Sequence, residues 1–179
     1  MRETDEAAPI GDYGVSKLAA TAFCQSEAIA KGLPIVTVRL FSPYGYWDDP
    51  KRLIPYVIQA FLNGESPRVS TPQSVRDYVF IEDVLQLYLK LAATPKLAGG
   101  IYNAGSGQQS SIGEVVETIR QILGSKINPS WGSIDAKRPE PSVWVADTAK
   151  TREMGWTAST GLTEGLRRTI EWHKQGVRA

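Results

Sequence analysis

The run Ile35-Val36-Thr37-Val38-Arg39-Leu40-Phe41 constrains the fold more than any other stretch. It is rich in β-branched residues, the pattern of a buried strand of a parallel sheet. A helical pattern from Tyr13 to about Lys31 precedes it, stopped by Gly32, with Pro34 two residues on. Helix, short turn and buried strand in that order is the rhythm of an α/β fold. Ser42-Pro43-Tyr44-Gly45 then reads as a turn.

The rest of the chain repeats the rhythm. Leu53, Ile54, Val57, Ile58, Phe61 and Leu62 mark a second helix ending near Gly64, and Arg68-Val69-Ser70 reads as a short strand. Arg76 to Ile81 is a strand candidate running into a helix over 82–93, with Val84, Leu85, Tyr88 and Leu91 or Leu89 facing inward. Gly100 to Asn103 reads as a further strand. Ser111 and Glu114 form a capping box ahead of a strong 3.6-residue period through Leu123. Ile127 to Trp131 is at most an edge strand because of Pro129. Lys137-Arg138-Pro139-Glu140-Pro141 is a polar loop, Val143 to Ala146 a short strand, Asp147 an N-cap for a helix through Met154, and Leu162 to Lys174 the last helix.

The 179 residues are 42% hydrophobic and 22% charged, ordinary for a folded chain, and the net charge of +1 gives no bulk attraction for nucleic acid or a membrane. The single cysteine, Cys24, excludes an internal disulfide, and with one histidine, His173, no Cys/His metal cluster can form. Cys24 reads as a small buried hydrophobe. No apolar run reaches the roughly 18 residues a membrane span needs, and no secretory leader pattern opens the chain. A reducing, cytoplasmic compartment is expected. Residues 2–11 are polar and aperiodic, a loop leading into a helix, which suggests that structure upstream is missing.

Two stretches carry chemistry. Tyr13 and Lys17 lie four apart and so share a helix face, where a lysine cation favours the phenolate and draws a pKa of about 10 toward neutrality. By itself that pair is a weak signal. Gly105-Ser106-Gly107-Gln108-Gln109-Ser110 stands where a dinucleotide fingerprint would, between strand and helix. Its third glycine is replaced by Ser110, and no acid follows about twenty residues on. A tight strand-to-helix turn is the better reading.

In order, Tyr13-Gly14-Val15-Ser16-Lys17, Val38-Arg39-Leu40-Phe41-Ser42-Pro43-Tyr44-Gly45, Arg76-Asp77-Tyr78-Val79-Phe80-Ile81-Glu82-Asp83-Val84, Tyr102-Asn103-Ala104-Gly105-Ser106-Gly107 and Arg138-Pro139 through Asp147 with Gly155-Trp156 cover almost the whole chain. Together they resemble the C-terminal half of an extended short-chain dehydrogenase/reductase of the nucleotide-sugar epimerase/dehydratase group. The resemblance implies an α/β fold: the C-terminal part of a Rossmann-like parallel sheet plus a small α/β substrate-binding domain, with the N-terminal dinucleotide-binding half absent. On that reading residues 1–179 are one incomplete unit, 11–45 and 76–104 belonging to the Rossmann-side layers and 46–75 and 105–179 mainly to the substrate-binding part.

The resemblance also implies roles. Tyr13 would be the catalytic acid/base, and Lys17 would lower its pKa and bind the nicotinamide ribose. Ser42, Pro43 and Tyr44 would lie beside the nicotinamide, with Ser42 also touching substrate at a position where asparagine is commonest. Arg76 and Arg138 would clamp the diphosphate of a nucleoside-diphosphate sugar, since guanidinium forks match phosphate oxygens. Leu53, Ile54 and Val69 would shape the base pocket. The intact enzyme would use NAD or NADP for epimerisation, dehydration or reduction. This chain alone would bind no dinucleotide, because the family's glycine-rich turn, its cofactor-selecting residue and the third catalytic residue all lie upstream of the tyrosine. The alternative expectation is a stand-alone, non-catalytic nucleotide-sugar binding or assembly module. Its partner would be a second copy, through the helix over 13–31, or the missing N-terminal half.

Overall fold

The computed structural model describes residues 1–133 and 142–176. Arg138 and the loop around it lie outside the described residues. Helix α1 (Asp12–Lys31) ends at Gly32, whose left-handed φ of 64° satisfies the C-terminal turn. Strand β1 (Thr37–Leu40) follows, then β2 (Ser42–Tyr44), α2 (Leu53–Leu62), β3 (Val75–Arg76), β4 (Tyr78–Phe80) and α3 (Ile81–Ala93). Strands β5 (Ile101–Ala104) and β6 (Ser110–Ser111) lead into α4 (Ile112–Leu123), α5 (Ala149–Glu153) and α6 (Leu162–Lys174).

The β-branched run does form a parallel strand, but not one buried on both faces: its residues are half-buried and Leu40 is exposed. β1 pairs with β5 from Thr37 opposite Ile101 to Leu40 opposite Ala104. The expected turn after it is instead strand β2, parallel to β4, with Ser42 opposite Tyr78. The chain changes partner between two residues: the Phe41 N–H donates to the Ala104 carbonyl and the Ser42 N–H to that of Asp77. Turn-forming residues gave no hint of this because the bonds come from a strand more than thirty positions away. β3 and β6 pair antiparallel, Arg76 opposite Ser110.

Other expectations need correction. Arg68 to Ser70 is no strand but a single bridge, Arg68 with Ser130, which stays within the limit of an edge strand set for Ile127 to Trp131. Val143 to Ala146 is not a strand, because its N–H groups at Trp144 and Ala146 bond to the side chains of Gln109 and Asp77. Thr148, not Asp147, is the N-cap of α5, while an Asp147 carboxylate oxygen accepts from the Ala149 N–H in a local turn. Along α3 the buried face is Asp83, Val84, Leu87 and Leu91, which leaves Leu85, Tyr88 and Leu89 exposed. The capping box of α4 is present in both directions.

One core joins α2, α4 and α6 to β2 and β4 through Ile54, Val57, Ile58, Phe61, Phe80, Val115, Ile119, Leu166 and Ile170. Gly165 lets α6 approach β2: a Cβ there would stand 2.2 Å from the Tyr44 hydroxyl. A second, smaller core packs Leu87, Leu91, Tyr102, Ala104 and Trp156. Helix α1 packs sparsely on this chain. Its apolar residues are spread around the helix, yet Ala28 alone is buried, and Phe23 and Ile29 are 67% and 73% exposed. In this chain it meets the body along one strip, where Gln25 donates to the Gly99 carbonyl and Ile29 touches Gly99.

Asp83 is fully buried, and its carboxylate accepts from the Ser159 N–H, the Ser159 hydroxyl and the Thr160 N–H. We predict that Asp83→Ala, which orphans these donors, lowers stability by about 3 kcal/mol or more in urea unfolding; a loss below about 1 kcal/mol would show that solvent replaces the carboxylate. His173 on α6 is half-buried, and burial holds its imidazole below the usual 6.5. The unfolded chain takes up a proton near that pH which the folded chain resists, so this contribution is full above 6.5 and is lost as pH falls below it. His173→Gln is therefore expected to flatten the fall in Tm between about pH 7.5 and about pH 5.5, and an unchanged slope would rule His173 out.

Candidate functional site

Tyr13 and Lys17 occupy successive turns of α1, and the Lys17 ammonium stands 5.4 Å from the centroid of the Tyr13 ring. Tyr13 is 76% exposed. Lys17 lines a cavity of about 460 Å³ with Gly14, Leu18, Arg39, Phe41, Asn103 and Trp144. That cavity lies at the carboxyl ends of the parallel strands β1 and β5, the place where open α/β sheets bind ligands. One wall is the N-terminal segment: the Glu3 carboxylate accepts from the Asn103 N–H, and its carbonyl from Arg39. Tyr13 itself is not part of the lining.

A second cavity, about 200 Å³, gathers Ser42, Pro43, Tyr44, Leu53, Ile54 and Arg76, residues drawn from β2, α2 and β3. Six of the positions singled out in the sequence thus converge on one space. Val69 does not join them; it is 2% exposed and packs in the main core, its N–H donating to the Ser130 carbonyl. The Tyr44 hydroxyl is already spent on the Leu162 carbonyl at 3.3 Å, and burial first, then the charge of Asp83, pushes its pKa far above the usual tyrosine value. Tyr44 therefore shapes this cavity and does not exchange protons in it.

Asp48 and Arg52 also line the second cavity and were missed in the sequence. They pair at 3.3 Å, and burial raises the Asp48 pKa more than Arg52 lowers it. Their four-residue spacing ahead of α2 was a visible signal, but a polar loop explained it as well. Arg76 donates to the Val75 carbonyl at 2.6 Å, and its guanidinium carbon lies 5.4 Å from the Trp144 ring centroid. A larger cavity, about 1000 Å³, lies elsewhere, between α1, β1 and the end of α3, and is lined mainly by apolar groups such as Val36, Val38 and Leu91 with Cys24.

The turn Gly105-Ser106-Gly107 holds an anion, but one from the protein. The buried Asp77 carboxylate accepts from the Ser106 N–H at 2.7 Å, the Ser106 hydroxyl at 2.6 Å, the Gly107 N–H at 3.1 Å and the Ala146 N–H at 2.9 Å. A ligand phosphate would find these donors taken and a negative charge behind them. A Cβ at Gly105 would stand 2.5 Å from that of Ala146 and 2.7 Å from an Asp77 carboxylate oxygen. Gly105→Ala should accordingly cost about 2 kcal/mol in urea unfolding; an unchanged midpoint would mean that the loop moves aside freely.

These features define an α/β protein of Rossmann-like type with a Tyr-x-x-x-Lys pair beside the sheet. The sequence profile of the NAD dependent epimerase/dehydratase family matches residues 1–105, and the chain belongs to that family, a group of extended short-chain dehydrogenase/reductases. It is 30% identical over 180 residues to dTDP-glucose 4,6-dehydratase of Escherichia coli, covering 96% of this chain and 49% of that one. To a trifunctional UDP-glucose 4,6-dehydratase/UDP-4-keto-6-deoxy-D-glucose 3,5-epimerase/UDP-4-keto-L-rhamnose-reductase of Arabidopsis thaliana it is 27% identical over 185 residues, covering 97% of this chain and 28% of that one. The solved structure of MoeE5 in complex with UDP-glucose and NAD superimposes with a TM-score of 0.90 at 31% identity, over 99% of this chain and 60% of that one. The chain thus spans about half, or less, of the length of these curated relatives.

Proposed function

We propose that these residues form the substrate-binding, Tyr13/Lys17-bearing portion of an NAD(P)-dependent nucleoside-diphosphate-sugar epimerase, dehydratase or reductase working in the cytoplasm. The observation that carries the reading is the convergence of Ser42, Leu53, Ile54 and Arg76 on one cavity. Apolar groups suit a nucleobase, and a guanidinium suits diphosphate oxygens. Arg138 is proposed as a second diphosphate cation on the family pattern alone. Tyr13 is proposed as the acid/base that takes a proton from, or returns it to, a sugar hydroxyl. Lys17, whose side chain lies over the Tyr13 ring and lines the cavity at the strand ends, is proposed to stabilise the phenolate.

A bound nicotinamide would supply the hydride acceptor and donor. The residues described fit that group in part: Lys17, with Ser42 and Pro43 in the neighbouring cavity, could meet its nicotinamide and ribose end. The glycine-rich turn of this chain is committed to Asp77 and offers no pyrophosphate cradle. We therefore expect the 179-residue chain alone to bind a nucleotide sugar but to turn nothing over.

Calorimetry on the isolated chain tests both halves of this reading. UDP-glucose or dTDP-glucose should bind, and Arg76→Ala should weaken that binding about tenfold or more. NAD should give no heat at micromolar concentration. Micromolar NAD affinity would refute the incomplete-site reading, and the absence of any nucleotide-sugar binding would refute the substrate assignment.

A second reading, a non-catalytic binding or assembly module, draws on the exposed apolar face of α1, with Tyr13, Val15, Phe23 and Ile29 all on the surface. Such a face tends to associate, either with a second copy or with a dinucleotide-binding half.

A further inference from the structure

Among the described residues, the charged side chains that line the second cavity are Asp48, Arg52 and Arg76. Arg52 meets Asp48 through a single nitrogen, Nη1, which donates to one carboxylate oxygen at 3.3 Å. Asp48 is the more enclosed partner, its side chain 13% exposed against 52% for Arg52. We propose that Asp48 is a competitor for ligand phosphate: in the free chain it occupies the Arg52 guanidinium, and a nucleoside diphosphate entering the cavity takes that guanidinium over. The inference rests on the substrate reading given above and adds Arg52 to the residues that bind the diphosphate.

The pair is built to part. One contact of this length is the weak form of an arginine–carboxylate interaction, which at its strongest uses two parallel N–H donors. Burial raises the Asp48 pKa more than Arg52 lowers it, so the carboxylate loses more by leaving water than the pairing returns. The same carboxylate oxygen accepts from the Asp49 N–H at 2.9 Å, so Asp48 keeps a partner when Arg52 leaves. Arg52 is held by its backbone: it is the N-cap of α2, and its N–H donates to the Asp49 carbonyl at 2.9 Å. Its half-exposed guanidinium can swing without disturbing the helix.

The loop also fixes where Asp48 stands. Trp47, just before it, has a φ of 60°, a left-handed conformation that bulky side chains seldom adopt. Its indole lies against that of Trp172 on α6, with ring centroids 5.3 Å apart. On the other side the Asp49 carboxylate accepts from the Lys51 N–H at 2.8 Å. Asp48 is thus held toward Arg52 from both flanks. A diphosphate, with negative charge on each phosphate, offers a guanidinium two oxygens in one plane where Asp48 offers one. The exchange favours the ligand, and parting the pair lowers its affinity about fivefold. A ligand without phosphate has nothing with which to displace Asp48, so the competitor adds discrimination.

Titration calorimetry of UDP-glucose and of uridine on the 179-residue chain tests this with two variants, Asp48→Asn, which keeps an acceptor for the Asp49 N–H but loses the charge, and Asp48→Ala. Both should bind UDP-glucose about fivefold more tightly than the unaltered chain, with no gain for uridine. In an Arg52→Ala background, Asp48→Asn should gain no more than about twofold, since its effect runs through the arginine. Unchanged or weaker UDP-glucose binding in both Asp48 variants, a full gain that persists without Arg52, or an equal gain for uridine would overturn the competitor role while leaving the substrate reading intact. No UDP-glucose binding by either the unaltered chain or Asp48→Asn would overturn both.

Discussion

The Asp77 carboxylate is the interaction on which most of the described structure depends. A buried charge without partners is prohibitively costly, and four donors at 2.6–3.1 Å make this one tolerable. The donors come from two segments remote in sequence, the turn at 106–107 and the stretch leading into α5. Asp77 also separates β3 from β4 in the chain and lends its carbonyl to the Ser42 N–H. Asp83 repeats the device six residues on, where the loop at 159–160 closes over the start of α3 and the Trp156 indole donates to the Asp83 carbonyl. Two carboxylates on one strand-helix unit thus hold the C-terminal third of the chain to the sheet.

This arrangement also decides what the glycine-rich turn can do. A phosphate-binding turn and the Asp77 turn use the same resource, backbone N–H groups made accessible by small residues. Here a side chain occupies that resource permanently. Positive charge at the second cavity comes instead from the guanidinium groups of Arg52 and Arg76, which line it. The first guanidinium is balanced by Asp48 and the second is backed by Trp144.

How much of this was legible follows from how local each determinant is. Gly32 and the Ser111/Glu114 box act within a turn of where they stand, and the helix limits they announce are the observed ones. Strand β2 was hidden because Pro43 and Gly45 advertise a turn, while pairing to β4 is set by residues far along the chain. Val143 to Ala146 erred the other way: β-branched residues suggested a strand, but its hydrogen bonds go to side chains. The phase of α3 was misjudged because Leu85, Leu87, Leu89 and Leu91 supply apolar residues on every side, and only the buried Asp83 fixes which face turns inward. At the site, family resemblance brought Ser42, Leu53, Ile54 and Arg76 together. The pairings Asp48 with Arg52 and Arg76 with Trp144 needed the fold.

Helix α1, which bears the proposed acid/base pair, has little support from its surroundings. Isolated helices gain little from propensity alone, and tertiary packing normally stabilises them. Here twenty residues rest on the body through Ala28, Gln25 and Ile29 near one end, while Tyr13 and Lys17 occupy the other. Near that end the contact is between Pro9 and Gly14, where an added Cβ would stand 2.9 Å from the proline. The position of Tyr13 and Lys17 relative to the strand ends is thus set by a short loop, with Val15 and Phe23 left exposed. An orientation error of about an ångström is enough to cost a proton transfer two orders of magnitude. If α1 is both the proposed assembly surface and the carrier of the proposed acid/base, contacts that cover its outer face would also fix Tyr13, so the two proposals are energetically linked.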